Sequence, residues 1–170
     1  PTIEVLSAGT RWIVLEDLNE SALWRPAVDA DLQDESITRA LAAWYIALHD
    51  AGEGLPELRG MYRETDVITK ENVELLLHRL PSGRKTFDQV AAHFEELHSL
   101  IDGQETTLTY NDFFWTNMTV RRDGTAAMMF DYNLMGAGWR LSDMNNVTWS
   151  LAGPAKHAFE EEYAALYRAR

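Results

Sequence analysis

The segment LTYNDFFWTN, Leu108 to Asn117, sets Asp112 and Asn117 five positions apart among bulky aromatic side chains. A carboxylate in such a place can take a proton from an attacking hydroxyl. An asparagine side-chain oxygen is a ligand for a hard cation. A third polar group joins them through the next stretch, NMTVRRDGTAAMMF, which reads as a hairpin with Asp123-Gly124 as the favoured two-residue turn. With the turn there, Arg122 faces Thr125, Asn117 lies opposite Phe130, and Asp131 follows one residue later. Antiparallel pairing brings Asn117 and Asp131 to the same end of the hairpin, and Asp112 sits in the connection that feeds it. Two carboxylates and an amide oxygen, with few other protein donors, suit a magnesium ion that also holds phosphate. Phe113, Phe114, Trp115 and Phe130 are expected to pack this loop and limit water. The competing reading is that Asp112 and Asn117 only cap turns, a common use of Asx residues.

The elements that must position these groups are mostly helical. DESITRALAAWYIALHDAG has Ile37, Leu41, Trp44, Tyr45 and Leu48 at helical spacing, with Gly52 and Gly54 as the stop. Thr69 is placed to cap a helix running to about Leu80, ended by Pro81-Ser82-Gly83. Thr86 and Gln89 have capping-box spacing for a third helix, with Val90, Phe94, Leu97 and Ile101 as its buried stripe. A further helix is expected over about Asp143 to Leu151, and Gly153-Pro154 opens the last. Before all of these, RWIVLEDL reads as a strand that pairs with the upstream TIEVLSAG through the Ala8-Gly9 turn. Residues 19–33 and 134–142 read as irregular.

Composition bounds the function. A chain of 170 residues with 46% hydrophobic and 25% charged residues is long enough for one well-packed domain. The formal net charge of -12 opposes binding to nucleic acid or to anionic lipid. No apolar run approaches the roughly 20 residues that span a bilayer. There is no cysteine, so disulfides and thiolate metal sites are excluded. No signal-peptide pattern opens the chain, which starts at Pro1. These features lead to the expectation of a cytoplasmic protein without nucleic-acid or membrane partners, and they carry no signal for an oligomeric state.

The spacing of Asp112-Phe113-Phe114-Trp115-Thr116-Asn117, followed by MMFDYN at Asp131, resembles protein-kinase-like folds. Those folds set a catalytic aspartate five residues before a metal-binding asparagine, with a second metal-binding aspartate after a short hairpin. The local pattern is more similar to the aminoglycoside phosphotransferase and choline kinase branch. There the motif reads His-Gly-Asp, a few residues, Asn, a hairpin, then Ile-Asp-Phe or similar. RLSDMNNV at Asp143 is similar to the aspartate that follows at a helix start. WIVLEDL resembles the hinge strand between the lobes, and ALAAWYIALHDAG resembles the first large-lobe helix, which often ends Leu-His. The departures are Tyr110-Asn111 for His-Gly and Phe114-Trp115-Thr116 for the frequent His-Pro-Gly. Nothing before Arg11 supplies a glycine-rich phosphate loop, a phosphate-gripping lysine or its glutamate partner.

The resemblance implies an α+β fold, the mostly helical large lobe of a kinase-like protein with a short catalytic hairpin and remnant hinge strands. Residues 1–18 would be the last small-lobe strands and hinge, and residues 19–170 the helical lobe. It implies transfer of the γ-phosphoryl of ATP (or GTP) to a small-molecule hydroxyl, on an aminoglycoside, choline or sugar-like acceptor. Asp112 would be the base, Asn117 and Asp131 would hold Mg2+, the backbone of Glu16, Asp17 and Leu18 would meet the adenine, and Asp143 would brace the catalytic loop. A segment without the small lobe is expected to be inactive alone. Asp29, Asp31, Asp34 and Glu35 could line a pocket for a cationic acceptor, and surface acidity explains them equally well. The alternatives are a catalytically inactive kinase-like binding module and a magnesium-dependent hydrolase acting through water.

Overall fold

In the computed structural model, which describes residues 2–79 and 84–170, one long helix organises the chain. This is α1, Glu35–Gly52. Asp34 starts it, its Oδ1 accepting from the amides of Ser36 at 2.8 Å and Ile37 at 3.2 Å, which satisfies two of the donors a helix start leaves open. Ile37, Leu41, Trp44 and Tyr45 face the core as their spacing predicts, and Leu48 is half-buried beside them. Their main partner is the last helix, α6, Gly153–Arg168, through Phe159 and Tyr163.

The other end of α1 carries the segment with the candidate site. Strand β4, Thr107–Thr109, crosses α1 at Gly52. A Cβ at Gly52 would stand 2.2 Å from the Leu108 nitrogen, so the strand fits only because that side chain is absent. Thr107 Oγ1 also donates to the His49 carbonyl at 2.5 Å. β4 is thereby fixed to the buried face of α1.

Among the described residues the strands form three small antiparallel sheets. β1, Val5–Ala8, pairs with β2, Ile13–Leu15, as the sequence predicts. β5, Met118–Arg121, and β6, Ala127–Met129, form the expected hairpin, with Met118 opposite Met129 and Val120 opposite Ala127. That register puts Asn117 opposite Phe130, and the Phe130 amide donates to the Asn117 carbonyl at 2.8 Å. The tight turn comes one position earlier than expected, since Gly124 N donates to Arg121 O, while the register is unchanged.

Several expectations are corrected. Residues 19–33 contain a strand, β3, Trp24–Pro26, which pairs with β5. Its three residues include a proline, which an edge position tolerates. Residues 134–142 contain β7, Gly136–Gly138, paired with β4, and the start of α5, Arg140–Ser150. Glycines hide a strand from any propensity argument. The third helix is two: α3, Arg84–Ala92, and α4, Phe94–Asp102, interrupted at His93. Thr86 and Gln89 therefore lie inside α3 and do not cap it. Of the expected stripe only Phe94 is buried; Val90 and Ile101 are half-buried and Leu97 is exposed. The preceding helix, α2, covers Lys70–Arg79, and the expected stop at Leu80 to Gly83 lies outside the described residues, as does Pro1. Among the described residues no helix is long and apolar enough to cross a membrane.

Two of the four acids considered for a cationic pocket have other uses. Asp31 is buried in a bidentate pair with Arg25, both contacts at 2.7 Å, and accepts from Val28 N at 2.8 Å. Asp34 is the α1 cap. Asp29 and Glu35 are exposed.

Candidate functional site

Residues 110–117 leave β4, cross the molecule and enter β5. The path is set by Asp143 in the first turn of α5. Its side chain is 1% exposed, and it accepts from the amides of Tyr110 and Asn111, each at 2.8 Å, one on either oxygen. A carboxylate buried so deeply needs such donors. The same Oδ2 also meets His49 Nε2 at 3.1 Å, and His49 Nδ1 meets the Tyr163 hydroxyl at 2.6 Å. A carboxylate only accepts, so Nε2 donates to Asp143, and in the neutral imidazole Nδ1 accepts from the Tyr163 hydroxyl. α1, α5 and α6 thus converge on the two backbone amides that precede Asp112. Burial raises the Tyr163 pKa, with Arg140 opposing that rise.

Tyr110 takes the place where the resembled pattern has histidine. Its ring is fully buried, edge-on to Trp44 with centroids 5.8 Å apart, and its hydroxyl donates to the Phe130 carbonyl. It therefore ties the loop to the far strand of the hairpin. Burial drives its pKa well above the usual phenol value, the charge on Asp112 adds to this, and that on Asp131 adds less. A hydrogen bond from Asn117 works in the opposite direction. All three candidate side chains therefore act on one phenol.

Asp112 and Asn117 touch directly, the Asn117 amide nitrogen donating to Asp112 Oδ2 at 3.3 Å. Both are half-buried. Asp131 is exposed, one residue beyond the Phe130–Asn117 backbone bond, and its φ of 64° turns the chain sharply there. Asn111 has the same φ of 64° next to Asp112. Left-handed backbone at two non-glycine residues is uncommon and concentrates at functional turns. Phe113 is buried and Trp115 and Phe130 half-buried, as expected, but Phe114 is 64% exposed and does not seal the loop. The aromatic run alternates direction as it enters the short helical turn Trp115–Asn117.

The donor set fits a hard cation. With its nitrogen turned to Asp112, Asn117 presents its oxygen elsewhere, and Asp112 and Asp131 supply carboxylates. Among the described residues no group of three or more His, Cys, Asp or Glu side chains that could hold a metal ion is found.

Glu16, Asp17 and Leu18 lie elsewhere, at the end of β2 in a separate sheet. Glu16 N donates to Glu4 O at 3.0 Å, the Asp17 carboxylate accepts from Asn19 N at 2.9 Å, and Leu18 packs against the core. The Asp17 side chain is thus occupied in a turn. His49 and Tyr163 escaped the sequence reading. The available signal was that His49 falls four residues after Tyr45, on the buried face of α1.

No match to the sequence was found among curated proteins. Two solved structures share the fold. Choline kinase LicA from Streptococcus pneumoniae aligns with a TM-score of 0.62 at 13% identity, over 95% of this chain and 56% of its own. A choline/ethanolamine kinase family protein from Mesorhizobium loti aligns with a TM-score of 0.63 at 16% identity, over 95% of this chain and 55% of its own. The chain thus spans little more than half the length of either. The architecture is α+β and mostly helical, the kinase-like fold of these proteins, with the β5–β6 hairpin beside the Asp143-braced loop. Residues 3–170 match the phosphotransferase enzyme family, and it is to this family that the chain belongs.

Proposed function

We propose that this chain is the catalytic part of a small-molecule kinase that transfers the γ-phosphoryl group of ATP (or GTP) to an acceptor hydroxyl. One observation carries the proposal: Asp112 is held by Asn117 at the mouth of the β5–β6 hairpin, beside Asp131, on a loop fixed by Asp143. In this reading Asp112 orients the acceptor hydroxyl and takes its proton. Asn117 fixes the Asp112 carboxylate through its nitrogen and, with Asp131, holds the metal. Magnesium, when bound, offsets the charge of the phosphates. Most of the rate enhancement then comes from positioning and from charge stabilisation. The fold relatives' greater length supports catalysis by a larger protein in which another lobe covers the nucleotide, with residues 1–18 as the last strands of that lobe and the hinge, and Glu16 to Leu18 against the adenine.

The likeness to choline and ethanolamine kinases supports a small-molecule acceptor, and the braced loop favours catalysis over a purely binding role. Asp112→Asn in the full-length protein tests this. Acceptor-dependent ATP consumption should fall by about 10²–10⁴-fold, the usual contribution of a positioned base, while nucleotide affinity is retained. Turnover near the wild-type rate would overturn the assignment of Asp112.

A further inference from the structure

A cavity of about 490 Å³ is lined in part by the loop that carries Asp112. Its lining residues are Tyr62, Asn111, Asn133, Leu134, Ser142 and Asn146. Asn111 immediately precedes Asp112, and Asn133 is two residues beyond Asp131. The volume is in the usual range for small-ligand pockets, about 300–1,000 Å³. Resting on the proposed function, we infer that this cavity holds the acceptor and that the acceptor is a neutral polyhydroxylated molecule, a sugar or polyol.

The lining chemistry carries the inference. The lining has three carboxamides and two hydroxyls. Asn133, Asn146, Tyr62 and Ser142 carry both donor and acceptor atoms, and Asn111 is left to accept, which is the mixture a ring of alcohol groups requires. Among the described residues that line the cavity none is charged. A quaternary or primary ammonium is recognised by aromatic faces or by carboxylates. This cavity has a single aromatic ring, and Asp31 and Asp34 are committed to Arg25 and to the α1 cap.

The lining is also held in place. Asn111 Nδ2 donates to Thr109 Oγ1 at 2.9 Å and to the Leu134 carbonyl at 3.2 Å. Its two N–H groups are thereby used, and its oxygen is the end left to accept from a ligand. Tyr62 is anchored by its carbonyl, which accepts from Ala137 N at 2.7 Å. A Cβ at Gly136 would meet that carbonyl oxygen at 2.4 Å, so the strand reaches Tyr62 only as glycine. Half of the Tyr62 surface stays exposed, and an aromatic ring in the lining suits the C–H side of a sugar ring. A larger cavity, about 670 Å³, is lined by Glu53, Arg140 and Tyr167 among others and by no residue of the Asp112 loop.

The test is initial-rate ATP consumption by the full-length protein over two acceptor sets. One holds neutral aldoses, inositol and glycerol; the other holds choline, ethanolamine and aminoglycosides. The expected result is a kcat/KM at least tenfold higher for the best neutral acceptor. Asn133→Leu and Asn146→Leu should each raise the KM for that acceptor by roughly fivefold or more, the value of one lost hydrogen bond, with the KM for ATP unchanged. Preference for the cationic set, or a neutral acceptor whose KM ignores both substitutions, would overturn the inference and leave phosphotransfer standing. ATP consumption stimulated by neither set, and unchanged by Asp112→Asn, would instead overturn the proposed function and this inference with it.

Discussion

Replacing Asp143 by asparagine isolates the brace of the candidate loop. The carboxylate accepts three hydrogen bonds: Tyr110 N and His49 Nε2 on Oδ2, and Asn111 N on Oδ1. An asparagine of the same shape offers one oxygen. Its better orientation keeps the oxygen at the Oδ2 position, satisfying Tyr110 and His49, and sets an NH2 group against the Asn111 amide. One charge-assisted bond is lost outright, and the two that remain lose the charge. A hydrogen bond to a charged group contributes about 1.5–3 kcal/mol, so the expected loss of stability is about 2–3 kcal/mol. In a chain of this size that lowers Tm by roughly 5–10 °C. Urea unfolding followed by circular dichroism gives the first number and a thermal scan the second. Amide hydrogen exchange adds a local readout, because Asn111 N should lose protection beyond what global destabilisation explains. A loss below about 0.5 kcal/mol, the size of an ordinary surface effect, with Asn111 exchange unchanged, would refute the reasoning.

Gly52→Ala should destabilise the chain by about 1–3 kcal/mol, the usual cost of overpacking, because its Cβ would meet the Leu108 nitrogen at 2.2 Å and Thr107 Oγ1 at 2.5 Å. Urea unfolding checks it, and a neutral result would mean that α1 and β4 are less tightly joined than described. The hydrogen bonds from Arg25 hold the Asp31 pKa below the usual carboxylate value, against burial and with help from Val28 N. A depressed folded-state pKa gives stability that is present above the unfolded value of about 4 and is lost as pH falls through the folded one. The stability gap between wild type and Arg25→Gln should therefore narrow between pH 6 and pH 3. A gap that stays constant by urea unfolding at both pH values would contradict the pairing.

The parts legible in the sequence were those governed by local rules. The face of α1 followed from period, and the β5–β6 register followed from a single Asp-Gly and survived a one-residue shift of the turn. That register is what placed Asn117 beside Asp131. The missed parts depend on partners distant in sequence. β7 is two glycines and an alanine, a strand only because β4 and Tyr62 offer their backbones to it. β3 exists because β5 gives it an edge. His49 reads in the sequence as an ordinary helix residue, and its role needs Asp143 and Tyr163, 94 and 114 positions away. Phe114 shows the converse: its apolar type suggested burial, and the helical turn at Trp115 points it outward. Asp31 and Asp34 looked like free charge until Arg25 and the α1 amides were seen against them.

The central claim, that Asn117 and Asp131 hold one divalent ion beside Asp112, is tested most directly by titrating the chain with Mn2+ and following paramagnetic broadening of its backbone amide resonances. The account predicts that the tightest site broadens amides around residues 112, 117 and 131 first, and that Asn117→Ala combined with Asp131→Ala removes this effect while weaker broadening elsewhere on the acidic surface persists. Early broadening centred away from these residues, or broadening there that is unchanged in the double variant, would contradict it.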